Sequence, residues 1–202
     1  MLEWLKEYSD VLNVLTNVTM ILVWMIYLHL LLVAYRRQRR PKLLINRGGS
    51  HDVKAHCLIS NMSAESVYIQ SLVATLKNDD QEWTAAVTDI DELQAENIEH
   101  PRETTHQGPL APGAFMDVGC FSNLIERAAR KAGLSERDLK EKVSGLELMV
   151  VAAYGADDMS IAAKRSFDLK DNDELTPQTV SSQQISSRHA RREVDRFLAK
   201  HL

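Results

Sequence analysis

The sequence predicts a two-part protein: one N-terminal transmembrane α-helix, then a mainly-β domain on the cytoplasmic side. Three observations predict it. The 25 residues from Val11 to Tyr35 contain no Asp, Glu, Lys or Arg. A basic collar follows at once, with Arg36, Arg37, Arg39, Arg40 and Lys42. From Leu43 onward, short apolar runs with period-2 alternation alternate with turn residues, the pattern of strands with one side buried.

A bilayer core needs about 20 mostly apolar helical residues, and Val14 to Val33 supplies them. So long an uncharged run lacks the amphipathic break of a soluble helix. A cleaved signal peptide would carry a basic leader and a shorter apolar core. The leader here, residues 1–10, has a side-chain net charge of −2. Residues 36–47 carry +6, and a Lys/Arg excess belongs on the cytoplasmic side. The expected layout is therefore a short extracytoplasmic N-terminus (1–10), a transmembrane helix (11–35) and a juxtamembrane collar (36–42). The domain behind it is cytoplasmic, and the membrane is expected to be a bacterial inner membrane. Arg36, Arg37, Arg39, Arg40 and Lys42 are the expected membrane-interface residues.

The span is not wholly apolar. Asn13, Thr16, Asn17, Met20, Trp24 and Tyr27 fall within one third of the helix circumference. Asn and Thr hydrogen-bond across helix pairs in bilayers, so Asn13, Thr16, Asn17 and Trp24 are candidate helix-association residues. The alternative is that Asn13, Thr16 and Asn17 lie among the outer headgroups and stay hydrated. His29 lies on the opposite face near the inner leaflet, where a single neutral imidazole is tolerated.

Residues 43–170 are expected to form the domain. Leu43–Arg47 leads into the turn signal Gly48-Gly49-Ser50, and Ala55–Ser60 is a second run. In Val67–Lys77 the apolar phase slips from Val67 and Ile69 to Leu72, Ala74 and Leu76, the mark of a bulge or of two short strands. Glu82–Thr88 and Phe115–Cys120 follow. Leu146–Tyr154 and Ser160–Leu169 flank a five-residue turn as the clearest hairpin, with Arg165 on its apolar face, where a carboxylate partner or a place at the rim would accommodate it. About seven strands is the count of an immunoglobulin-like β-sandwich; a small barrel is the competing architecture.

Two insertions interrupt the strands. Asp89–Gly113 is long and Pro-containing, and between Asn78 and Glu103 stand nine acidic residues and one basic one, Arg102. No calcium-loop spacing organises them, so a solvated acidic loop is expected. The second insertion, 122–144, is helical. Asn123 with Glu126 and Ser135 with Asp138 resemble capping boxes, and Leu124, Ile125, Ala128 and Ala129 form an apolar stripe. Residues 171–188 read as a polar linker. Residues 189–202 read as a basic amphipathic helix, with Ala190, Val194, Phe197, Leu198 and Leu202 on one face. Such a helix lies on an anionic membrane surface, binds a partner groove or folds back onto its own domain.

Charge and chemistry narrow the function. Residues 48–202 hold 17 basic and 25 acidic side chains, a net of −8, which argues against nucleic-acid binding. The two cysteines, Cys57 and Cys120, are expected reduced in a cytoplasmic domain. Asn61-Met62-Ser63 fits the glycosylation pattern only by coincidence on that side. No phosphate-binding glycine loop, nucleophile elbow or kinase set is present. His51, His56 and Cys57, and His100 with His106, lack zinc-site spacing. No catalytic, cofactor-binding or metal residue is therefore expected. The expected function is a membrane-anchored, non-enzymatic accessory or protein-interaction module, whose partners are the lipid bilayer and a protein partner or further copies of itself. The alternative is a small self-assembling channel or gating element built from the transmembrane helix.

Overall fold

The computed structural model describes residues 9–38, 40–78, 80–89, 105–135, 137–139, 143–155, 159–170 and 172–201. The chain divides into two compact units, Met1–Arg40 and Pro41–Leu202.

The first unit carries helix α1, Ser9–Gln38. Apolar side chains stand on every face of it, interrupted by Asn13, Thr16, Asn17, Thr19 and His29, and its described side chains up to Arg36 are exposed. Its length and hydropathy suffice to cross a membrane. Thr16 and Thr19 turn their hydroxyls back onto the carbonyls of Leu12 and Leu15, each at 2.8 Å, which satisfies them within the helix.

The second unit is built on two antiparallel sheets. Strands β1 (Leu43–Gly48), β2 (His56–Asn61) and β6 (Phe115–Cys120) form the smaller one, in the order β1-β2-β6. The larger sheet runs β10-β8-β7-β3-β4: Gln183–Ile185, Ile161–Leu169, Gly145–Tyr154, Val67–Lys77 and Glu82–Ala86. Two three-residue strands extend it: β5 (Gly108–Leu110) on β3 and β9 (Leu175–Pro177) on β8. Seven of the ten described strands are five residues or longer, and these are the seven expected from alternation. The phase slip in β3 is a bulge: its register against β7 shifts between Ile69 and Ser71.

The inner faces of both sheets share one core. Leu43, Ile45, Cys57 and Ile59 from the smaller sheet meet Ile69, Leu76, Leu148 and Phe167 from the larger. Helix α2 (Phe121–Lys131) closes this core with Phe121, Leu124, Ile125 and Ala128. The helix begins at Phe121, with Cys120 at the N-cap and no side-chain cap bond; the expected box at Asn123 and Glu126 lies inside its first turns. The box at Ser135 is formed: Ser135 Oγ donates to Asp138 Oδ2 at 2.6 Å and accepts from the Asp138 amide at 3.1 Å.

The segment 171–188 departs from a polar linker. It contributes β9 and β10, and its side chains seal the free edge of β1. The amide of Leu43 donates to Gln184 Oε1 (3.0 Å), Gln184 Nε2 donates back to the Leu43 carbonyl (2.6 Å), and the amide of Ile45 donates to Ser182 Oγ (2.7 Å). An unpaired strand edge is a template for aggregation; here polar side chains occupy it, which explains the polar composition. Helix α3 (Arg188–His201) lies on the outer face of the larger sheet, with Val194 and Leu198 against Val151 and Ala162.

Candidate functional site

Three groupings of polar or accessible residues stand out. The first surrounds Arg127. It projects from α2 among apolar neighbours and is buried. One terminal nitrogen donates to the carbonyls of Val87 (2.5 Å) and Asp89. The other lies 3.5 Å from His106 Nε2. Asp89 also bridges Thr105. Arg127 thus fastens together the two ends of the acidic insertion, whose residues 90–104 lie outside those described, His100 among them. Burial, and next the Arg127 charge, push the His106 pKa down to about 4.

The sign of that shift gives a pH dependence. Unfolded, His106 binds a proton below its ordinary pKa of about 6.5; folded, it does so only near 4. The unfolded state therefore holds more protons between these values, and stability falls as pH drops through that window. Thermal melts across it are expected to show a declining Tm that His106→Gln flattens.

The second grouping is an ion cluster on the outer face of the larger sheet. Glu147 on β7 accepts from Lys77 (3.4 Å), Lys164 (3.3 Å) and Ser166 (3.2 Å). Burial alone would raise its pKa, but Lys164 and Lys77 outweigh it and hold the carboxylate below its usual value. A paired carboxylate of this kind is a structural tie across three strands.

The third comprises two clefts. One, of about 500 Å³, is walled by Val53, Ile125, Leu139, Val143 and Leu169 and rimmed by Ser122, Glu126, Lys170 and Asp173. Asp173 takes the left-handed conformation, φ 61°, which turns its backbone so that its amide meets the Lys170 carbonyl and its carbonyl the Val53 amide, each at 3.0 Å. The other, about 520 Å³ and more open, lies between α3 and strands β8 and β10. Both are in the size range of small-ligand sites. The first lining carries Ser122, Glu126, Lys170 and Asp173 as its polar groups, and the second includes Lys164, Ser186, Ser187 and Glu193.

Among the interface residues, Arg36 and Arg37 lie on α1, Arg40 and Lys42 are exposed beyond it, and Arg39 lies outside the described residues. Lys42 is held at the head of the domain: its amide donates to Ser63 Oγ (2.9 Å) and its carbonyl accepts from the Met62 amide (2.8 Å). On α1, the ring of Trp24 packs edge-on to Tyr27 at 6.1 Å. Thr16 is satisfied by Leu12, whereas Asn13 and Asn17 are exposed with no hydrogen-bond partner for their amides among the described residues.

His56 faces outward and pairs with Asp117 (2.7 Å), while Cys57 is buried and its thiol pKa is raised, chiefly by burial. Asn61 is a structural residue: its side-chain amide donates to the carbonyls of Glu65 and Leu110, each at 2.9 Å, and its oxygen accepts from the Ser63 amide. Among the described residues, no group of three or more His, Cys, Asp and Glu is placed to hold a metal.

Periodicity did not single out Arg127, Glu147, Ser182 or Gln184. Their partners are backbone carbonyls or residues from remote strands. The one signal available was a charged residue within an apolar stripe, as at Arg127 beside Ala128 and Ala129.

No protein-family model matches the chain, nor does any curated protein or solved structure.

Proposed function

We propose that the chain is a single-pass membrane protein whose β-domain, on the cytoplasmic side, is a non-enzymatic interaction or accessory module. The observation that carries the reading is α1, about 30 residues long, with apolar side chains exposed on every face and a basic collar at its C-terminal end. In water that surface is far larger than the apolar patches soluble proteins expose; in a bilayer it is matched to its solvent. The collar sets the orientation by the excess of Lys and Arg, and the proposed location is a bacterial inner membrane. The two antiparallel sheets around one core support an immunoglobulin-like reading of the domain. The engagement of Arg127, Glu147, Ser182 and Gln184 in structural ties supports an interaction role for the domain.

Purification of the full-length protein in mild detergent from its own cells tests this reading. A stable second polypeptide in the complex is the expected result. Turnover of a substrate that a point change in one cleft abolishes would overturn it.

A second reading is favoured by Asn13 and Asn17. Amides without partners in a bilayer seek them on another helix, and each cross-helix bond is worth roughly 0.6–2 kcal/mol. Self-assembly through this face would make the helix a small channel or gating element. Asn13→Leu with Asn17→Leu is then expected to reduce oligomers in detergent to monomer, as read by light scattering; unchanged assembly would exclude the reading.

A further inference from the structure

The outer face of the β1-β2-β6 sheet is apolar at one end and polar at the other. Directly opposed residues of antiparallel strands share a face, so Leu44, Ser60 and Phe115 form one outward row. Met62 stands beyond them, beside Lys42. Phe115 is 65% exposed and Met62 55%. One row further along the face carries Asp117, and the row after that His56, hydrogen-bonded to it at 2.7 Å. The apolar end is thus the end at which the chain enters the domain.

We propose that this end, with Phe115 and Met62 as its apolar contacts and Lys42 beside them, docks on the anionic lipid surface of the membrane that α1 spans. The proposal rests on the membrane anchoring proposed above. Two physical arguments select lipid. First, the five residue steps from Gln38 to Leu43 reach at most about 18 Å, so this end of the sheet is tethered close to the headgroups. Lys42 is bonded directly to Met62 and Ser63, which ties the patch to the tether. Second, Arg36, Arg37, Arg39, Arg40 and Lys42 supply five positive charges to a leaflet whose anionic lipids attract each by about 1 kcal/mol. The nearby Glu65 is the one described acid in the 61–66 turn. A second copy is a poorer occupant, because two exposed side chains fall far short of the roughly 800 Å² per partner of a stable interface.

Docking places the domain against the membrane despite its net negative charge. Phe115 and Met62 then act as shallow interfacial anchors, and the sheet's polar end stays in water.

The test uses the full chain reconstituted in phosphatidylcholine vesicles with and without phosphatidylglycerol. A bimane label is placed at Phe115→Cys, at Val180→Cys (a 99% exposed position) or at Leu28→Cys within α1, each with Cys120→Ser. All three label positions are exposed, and circular dichroism of each variant checks that the fold is kept. Lipid-borne and aqueous quenchers are then compared. The expected result is strong lipid quenching at 28, several-fold stronger lipid quenching at 115 than at 180, and a further rise at 115 with phosphatidylglycerol. Lipid quenching at 28 but not at 115 would overturn the docking and leave the anchoring intact. Absence of lipid quenching at 28 would overturn both. Shielding at 115 that grows with protein concentration in lipid-free detergent would assign the patch to a second copy and overturn the lipid proposal.

Discussion

Arg165→Leu is expected to destabilise the full-length protein by about 3 kcal/mol, because a buried acceptor left unpaired costs about 1–3 kcal/mol. Arg165 sits on the inner face of β8 at 8% exposure, where alternation places an apolar residue. No carboxylate partner is needed there. Its guanidinium donates to the Ile45 carbonyl (2.6 Å) and Asn46 Oδ1 (2.8 Å) on β1, and to the carbonyls of Thr179 (3.0 Å) and Val180 (3.3 Å). It therefore joins the larger sheet, the smaller sheet and the segment that seals the β1 edge. It also lies 5.5 Å from the centre of the Phe167 ring, a further cation–π contact. Arg165→Lys keeps the charge but not the planar fork and is expected to recover only part of the loss. Urea unfolding in mild detergent, followed by near-UV circular dichroism, measures both. A loss below about 1 kcal/mol for Arg165→Leu, the size of an ordinary substitution, would show that water readily takes over these carbonyls.

The second large effect is expected at Phe167. Its ring is fully buried and meets Phe121 edge to face, centroids 4.9 Å apart at 64°. One ring belongs to β8 and the other opens α2, so the pair fixes the helix to the larger sheet. Phe167→Ala removes the ring and leaves a cavity between two elements, at an expected cost of about 3–5 kcal/mol. Phe167→Leu conserves most of the volume and is expected to cost less than about 1.5 kcal/mol. The same unfolding measurement separates them. Equal losses for the two variants would mean that the contact is one of ring geometry alone and not of filled volume.

These two residues mark the limit of what the sequence makes legible. The seven longer strands are readable because each alternates around a core shared by two sheets, and the β3 bulge is readable because it shifts that alternation by one residue. Phe167 is legible as core by the same rule. Arg165 is legible as an exception, but its partners are not, since backbone carbonyls carry no sequence signature. The segment 171–188 hid its strands because its polar side chains, Ser182 and Gln184, do the work of a neighbouring strand's backbone. Helix α2 begins ahead of its apparent capping box because Phe121 is drawn into the core at the helix's first residue. The candidate surfaces are less visible still. The clefts are lined by residues from remote elements, and the neck of the acidic insertion is closed by Arg127 from a helix some 40 residues away in sequence.

The membrane reading orders the rest, since the collar, the docking face and the side on which partners are met all depend on it. Its most direct test is labelling of Val180→Cys, in a Cys120→Ser background, with a membrane-impermeant maleimide in sealed right-side-out vesicles. Reaction only after the vesicles are permeabilised is the result predicted, with Ser9→Cys reacting in both states. Reaction of Val180→Cys in sealed vesicles would put the domain on the other side of the membrane, and release of the protein by alkaline extraction would contradict the span itself.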